Sequence, residues 1–267
     1  MCHLSDVHFG RIATPAVVEA LVEEVNAQRP ALVAVSGDLT QRARRSQFRR
    51  AAEMLARFEA PVMVVPGNHD VAAWYRPFSR LFRPISRYRQ MITDELMPTF
   101  TAPGLAVLGI NTAHGLTIKG GRLLPEHAVH IRSFFSEQPA AALRVLVLHH
   151  HLTFLDALGK HDVARRAALA IEAIEEQRVD VLLCGHLHKS HVERLRFTAD
   201  GPAVVVASAG TATSDRGREA GPNRRVNFYN HIHVAPDEFT VEERQFDPGA
   251  GQFVSARTSA FARMATH

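Results

Sequence analysis

Val62-Met63-Val64-Val65-Pro66-Gly67-Asn68-His69-Asp70 is the stretch whose reading decides the fold. The apolar run Val62 to Val65 reads as a buried strand, and Pro66-Gly67 breaks it. An amide, an imidazole and a carboxylate follow at once. A polar cluster where a strand gives way to a loop is the usual place for site residues in an α/β sheet. The rest of the chain is therefore read for further clusters placed the same way.

Upstream, His3-Leu4-Ser5 is the tail of a first strand that ends at Asp6-Val7-His8-Phe9-Gly10. The apolar residues expected before it are missing, which points to a frayed strand or to a start upstream of Met1. Pro15 opens a helix to about Gln28, with apolar residues at Val17, Val18, Leu21, Val22 and Val25. Leu32 to Val35 is a β-branched strand broken at Ser36-Gly37-Asp38-Leu39-Thr40. A helix from about Ser46 to Phe58 follows, with Ser46 as its N-cap. This βαβαβ order predicts parallel strands and a shared site along one sheet edge.

Downstream, residues 71 to 101 are aromatic and Arg-rich, and Pro77, Pro84 and Pro98 break them into short helices expected to form a cap or flap. Leu105 to Ile110 is a strand ending at Asn111-Thr112, and Pro125 to Gln138 is a helix. Val145 to Leu148 is a strand ending in His149-His150-His151, and 152–163 is a loop. Arg165 to Arg178 is a helix that buries Leu169, Ile171 and Ile174. Val181 to Cys184 is a strand ending at Gly185-His186-Leu187-His188. Then His191 to Phe197, Ala203 to Ala207, Val226 to Val234 and Phe239 to Gln245 read as consecutive antiparallel strands. Ala209 to Arg225 reads as a mobile loop, and the tail from Pro248 as extended surface chain. With no repeat, low-complexity tract or linker, one domain over 1–267 is expected, its antiparallel C-terminal strands at 190–245.

The composition is that of a soluble globular protein, 46% hydrophobic and 22% charged over 267 residues. No apolar run approaches the roughly 20 residues of a membrane helix, and no secretory pattern opens the chain. Cys2 and Cys184 are the only cysteines, which excludes a disulfide framework. A cytoplasmic protein with no membrane partner is expected. The net charge of +4 permits anionic substrates. The arginines at 42–57 and 76–89 read as solvated faces rather than a nucleic-acid stripe, so nucleic acid is a possible but disfavoured partner.

Five strand ends thus carry polar clusters: Asp6/His8, Asp38, Asn68/His69/Asp70, His149 and His186/His188. All are oxygen or imidazole donors, a set that suits a divalent ion such as Mn, Fe or Zn. Alternate residues past a strand end point to the same side, so the Asp-x-His and His-x-His spacings let both side chains reach one centre. His150 and His114 are candidate substrate contacts, each with a structural reading beside it. Arg42 could meet a phosphate, and Trp74 and Tyr75 a nucleobase, although solvation and packing on the domain are the favoured readings.

The order Asp6-x-His8, Gly37-Asp38, Gly67-Asn68-His69-Asp70, His149 and Gly185-His186-x-His188 resembles the calcineurin-like metallophosphoesterase superfamily over Leu4 to His188. Gly37-Asp38-Leu39-Thr40, the triple His149-His150-His151 and Gly185-His186-Leu187-His188-Lys189 resemble its class III cyclic nucleotide phosphodiesterase branch. Leu152 stands where, or near where, that branch often has Pro. The resemblance implies an α/β fold, a two-sheet β-sandwich flanked by helices in four layers, α-β-β-α. It implies two divalent metal ions (Mn, Fe or Zn). One would be held by Asp6, His8, Asp38 and His188, the other by Asp38, Asn68, His149 and His186, with Asp38 bridging.

Two cations about 3.5–4 Å apart can clamp a phosphoester and supply hydroxide at neutral pH. His69, one residue past a ligand, is the expected general acid or electrostatic stabiliser. Asp70 is expected to accept from its other ring nitrogen and fix the tautomer. These readings give a phosphodiesterase for a small phosphodiester such as a cyclic nucleotide. A nuclease and a hydrolase of nucleotide-linked lipid precursors share the chemistry and stay open. A non-catalytic metal-binding scaffold is disfavoured because His69 and Asp70 are intact. The oligomeric state is open, with a dimer among the expectations.

Overall fold

The computed structural model describes residues 1–116, 120–216 and 226–263. The first third runs β1 (Cys2–Leu4), α1 (Pro15–Ala27), β2 (Val33–Val35), α2 (Arg45–Leu55) and β3 (Val62–Val64). The three strands are parallel, with Cys2 opposite Val33 and Val33 opposite Val62. Thr14 caps α1, its hydroxyl accepting from Val17 N at 3.3 Å, and Pro15 occupies the first turn, where a missing N–H costs nothing. Ser46 does not cap α2. The helix starts at Arg45, and the Gln47 side chain folds back to accept from Arg42 N at 2.9 Å and Arg44 N at 3.4 Å.

The remaining elements are α3 (Pro77–Phe82), α4 (Ser86–Met91), β4 (Thr99–Ala102), β5 (Leu105–Ile110), α5 (Pro125–Ser136), β6 (Leu143–Leu148), α6 (Ala167–Glu176), β7 (Val181–Cys184), β8 (His191–Arg196), β9 (Ala203–Ser208), β10 (Phe228–Val234), β11 (Glu238–Asp247) and β12 (Gln252–Ala262). They complete two six-stranded sheets, β12-β11-β10-β1-β2-β3 and β4-β5-β6-β7-β9-β8.

Strand alternation sorts the core into layers. Cys2, Leu4, Val33, Val35 and Val64 pack with Val17, Leu21, Phe48 and Ala51 of α1 and α2. Ala34, Met63 and Val65 meet Val107, Val145, Val147 and Leu183 between the sheets. Leu108, Ile110, Leu146 and Leu182 pack with Ile131, Phe135 and Ile174 of α5 and α6. Both faces of each parallel strand are thus buried, which is why these strands read as unbroken apolar runs. The order of layers is α-β-β-α.

Four expectations change. Thr99–Ala102 is a strand on the edge of the second sheet, not part of the helical segment before it. The late strands are not one antiparallel run: β9 lies parallel to β7 in the second sheet, while β10 crosses to the first and pairs antiparallel with β1. The tail is not loose surface chain, since β12 pairs with β11 from Gln252 to Ala262. In α6 the fully buried stripe is Ala170, Ala173 and Ile174, with Leu169 and Ile171 only half-buried. Alternation shows that a segment is a strand but not which neighbour it takes.

The stretch expected to be a mobile loop divides. Ala209 to Ser214 is buried and tied down, with Ala212 N donating to Ser5 O and Ala13 N to Thr213 O, both at 2.9 Å. Residues 217–225 lie outside the described residues. No helix among the described residues is long and apolar enough to cross a membrane.

Candidate metal centre

The ends of β1, β2, β3, β6 and β7 bring the five polar clusters together where the two sheets meet. Asp6, His8, Asp38, His149 and His188 are buried, and Asn68 and His186 half-buried. Their convergence does not come from strand alternation. Asp6, His8, Asp38, His186 and His188 have φ of 54°, 51°, 56°, 72° and 57°. Left-handed backbone costs a side-chain-bearing residue about 1–2 kcal/mol, and it persists where the surroundings hold it. Here Asp6 N donates to Gly37 O at 3.0 Å and His8 N to Asp38 O at 2.9 Å, while the Thr211 and Thr213 hydroxyls donate to Asp6 O and Val7 O.

Two glycines make room. A Cβ at Gly67 would overlap the Asp38 carboxylate, and one at Gly185 would overlap Ser5 Oγ. Close approach, rather than a tight turn, is what requires Gly67.

The donor geometry tests for a cation. His149 Nδ1 lies 2.6 Å from Ser36 O and His8 Nδ1 3.3 Å from Thr40 O. Each ring donates there, so each Nε2 turns inward, and on the neutral ring it carries a lone pair. Asp38 Oδ2 lies 3.4 Å from His149 Nε2 and 3.5 Å from His8 Nε2. Asp6 Oδ1 lies 3.4 Å from His8 Nε2 and 3.5 Å from His188 Nε2, and is buried with no hydrogen-bond partner among the described residues. Asn68 Oδ1 lies 3.2 Å from His149 Nε2 and 2.9 Å from His186 Nδ1.

Lone pairs so placed repel unless a proton or a cation lies between them. Ligands at about 2.0–2.2 Å from a zinc-sized ion stand about 2.8–3.6 Å apart in octahedral or tetrahedral arrangement. The observed spacings fit, and they fall into two groups that share Asp38.

Charges follow the geometry. Burial pushes the Asp38 carboxyl up, but the facing His149 and His69 rings outweigh it and hold it well below the usual carboxylate range. Burial likewise opposes a charge on His149, yet Asp38 and Asp6 raise its pKa to about 9, so the metal-free protein holds a proton where a cation would sit. Burial lowers His186 to about 4 and His188 to about 3, leaving both rings neutral and able to ligate.

His69 stands beside these groups, its ring edge-on to His8 with centroids 4.9 Å apart. The expected Asp70 contact is not formed. His69 Nδ1 is 2.8 Å from Gln41 O, and that carbonyl sets the ring's orientation. The buried Asp70 carboxylate instead accepts from Leu39 N, Thr40 N, Thr40 Oγ1 and Gly67 N at 2.9 to 3.1 Å. It staples the Asp38 loop to the Asn68 loop, a job that four donors on two separate loops suit better than one ring nitrogen would.

A family model described as calcineurin-like phosphoesterase matches residues 1–190. The chain belongs to that family. A glycerophosphodiester phosphodiesterase (GpdQ) of Enterobacter lignolyticus is 31% identical over 94 residues, 32% of this chain and 34% of that protein. A Ruthia magnifica protein named "Probable cyclic nucleotide phosphodiesterase" is 19% identical over 244 residues, 90% of each chain. The chain thus spans about a third of the first relative and nine-tenths of the second. The purple acid phosphatase PPD1 of yellow lupin superposes with a TM-score of 0.66 at 13% identity, over 98% of this chain and 53% of that one. Its likeness shows the shared two-sheet fold.

Further residues of this calcineurin-like phosphoesterase reach the centre. His150 is fully buried, with Nδ1 2.8 Å from Thr112 Oγ1, and its ligating atom lies within 4.8 Å of those of His149 and His186. His114 is half-buried and lines neither cavity at the centre.

The sequence reading missed Arg216, whose Nη1 lies 3.1 Å from His69 Nε2 and 3.5 Å from His8 Nε2. Arginine only donates, so His69 Nε2 accepts and the ring is neutral here. Lys160, His161 and Asp162 line the opening over Asp38 and His188. Arg42 lies on the loop before α2, not on a solvated helix face. With Trp74, Tyr75, Arg80 and Arg216 it lines a cavity of about 300 Å³ next to His69. No local pattern marks Arg216 in the sequence, because its placement depends on the Thr211 and Thr213 anchors.

Proposed function

We propose that this calcineurin-like phosphoesterase is a dinuclear-metal phosphodiesterase acting on a small phosphodiester, with a cyclic nucleotide as first candidate. The observation that carries the reading is the convergence of inward lone pairs on two sides of Asp38 Oδ2. Asp6, His8, Asp38 and His188 would hold one divalent ion, and Asp38, Asn68, His149 and His186 the other. When bound, such ions polarise the phosphoester and lower the pKa of water towards neutrality.

The chain's own residues supply the rest. Ser36 O and Thr40 O keep the Nε2 atoms of His149 and His8 turned inward. His69, its Nδ1–H held by Gln41 O, would take a proton from solvent on Nε2 once an anionic phosphate faces the ring, and pass it to the leaving oxygen. Arg216, now hydrogen-bonded to His69 Nε2, would turn to meet the anionic phosphate. Asp70 acts by holding the two loops in register. Segment 71–98, with α3 and α4, serves as the flap framing the cavity beside His69. The relative named for cyclic nucleotides, matched over nine-tenths of both chains, supports the substrate class. The free, buried Cys2 and Cys184 support a cytoplasmic setting.

Hydrolysis of bis(p-nitrophenyl) phosphate with added Mn tests the chemistry. His69→Ala is expected to lose on the order of 10²–10⁴-fold in rate while keeping its metal. Asp38→Ala is expected to lose metal and activity together. Activity of either variant equal to wild type overturns the reading. A panel of cyclic nucleotides, glycerophosphodiesters and DNA ends then ranks the substrates.

A further inference from the structure

We infer that the segment around α3 docks this protein reversibly onto an anionic lipid bilayer surface. Trp74, Phe78, Leu81 and Phe82 are 71%, 80%, 57% and 73% exposed, and no residue of α3 is buried. Phe78, Leu81 and Phe82 stand at i, i+3 and i+4, so they share one helix face. Such a ridge is unusual on a soluble surface, where large apolar side chains are scattered singly.

The charge around the ridge selects the occupant. Between Val71 and Thr93 there are five arginines and no acidic residue. Arg76 and Arg83, at either end of α3, are exposed. An apolar face rimmed by cations, rich in Trp, Phe and Leu, is the composition that lies in an interface with anionic headgroups. A second copy meeting this face across a two-fold axis would set arginine against arginine with no acid in the segment to pair them. A nucleic acid would use Arg and ring faces, but Leu81 offers no stacking surface. Trp74 and Tyr75 also line the cavity beside His69, so docking would turn its mouth towards the bilayer.

The inference is independent of the phosphodiesterase reading, because binding is measured without metal or substrate. Trp74 is the only tryptophan, so its emission reports on this segment alone. The full chain is mixed with vesicles of phosphatidylcholine, or of phosphatidylcholine and phosphatidylglycerol in equal parts. A blue shift and co-sedimentation are expected with the anionic vesicles. Two exposed arginines give about a 30-fold preference over the neutral ones. Phe78→Ser/Phe82→Ser is expected to abolish binding, and Arg76→Gln/Arg83→Gln to weaken it about 30-fold, to the level of the neutral vesicles, both variants keeping the wild-type circular dichroism spectrum.

No blue shift with anionic vesicles overturns the inference, as does binding that survives the Ser variant. A dimer mass in light scattering that this variant abolishes would assign the ridge to a second copy and also overturn it. So would a Trp74 response to single-stranded oligonucleotide but not to vesicles.

Discussion

Replacing Asp70 with Asn separates its two readings, as an orienter of His69 or as a staple between loops. In the structure Oδ1 accepts from Thr40 N at 2.9 Å and Thr40 Oγ1 at 3.0 Å, and Oδ2 from Leu39 N at 3.1 Å and Gly67 N at 3.0 Å. An amide can replace only one oxygen. With its NH₂ at the Oδ2 position, two backbone N–H groups lose their acceptor. With NH₂ at the Oδ1 position, Thr40 Oγ1 can accept instead, and only Thr40 N is stranded. The second arrangement is therefore adopted, and one buried unpaired N–H costs about 1–3 kcal/mol.

Burial, reinforced by Asp38, raises the Asp70 pKa to about 6. A raised carboxyl favours the protonated folded state, so this contribution is present at low pH and is lost as pH rises from 3.8 towards about 6. Asn does not titrate, so the gap between wild type and variant narrows over that window. Urea unfolding in the presence of a chelator, at pH 4 to 8, measures both effects. Unchanged stability combined with a rate loss matching His69→Ala would refute the staple and restore the orienting role.

Three further outcomes are expected. Because Asp38 and Asp6 hold a proton on His149 up to about 9, metal binding at pH 7 should release about one proton and tighten as pH rises; calorimetry in buffers of different ionisation enthalpy checks this, and a buffer-independent heat would contradict it. Burial keeps His69 below its ordinary pKa, so a general-acid role makes kcat/KM, which reports the free enzyme, fall as pH rises through a value below about 6.5, whereas kcat should persist to higher pH once an anionic phosphate faces the ring; coincident limbs would argue against that role. Gly67→Ala should cost about 1–3 kcal/mol and lower the bound metal, since its Cβ displaces the Asp38 carboxylate; full metal content by elemental analysis would show that the carboxylate has room to move.

Much of the fold is legible in the chain because apolar runs and breakers act locally. The runs at Val33–Val35, Val145–Leu148 and Val181–Cys184 could be read directly, and each is followed within three residues by a side chain that the structure carries to the centre, Asp38, His149 and His186. The errors share one cause. Strand periodicity does not reveal partners, so β9 and β10 were read as neighbours although they lie in different sheets. Strand alternation predicts the convergence of Asp6 with His8, and of His186 with His188, but left-handed loop backbone produces it.

By itself, the sequence determined which donors are available and that each follows a strand end, since residue type and hydrophobic pattern are properties of the chain. The tertiary structure alone decided which atoms face one another. Asp70 staples two loops, Gln41 O orients His69, Arg216 reaches its Nε2 from 147 residues away, and Thr211 holds Asp6 from 205 residues away. The physical reason is that hydrogen bonds and cation sites are set by separation in space, which the packing of two sheets creates and local pattern does not encode.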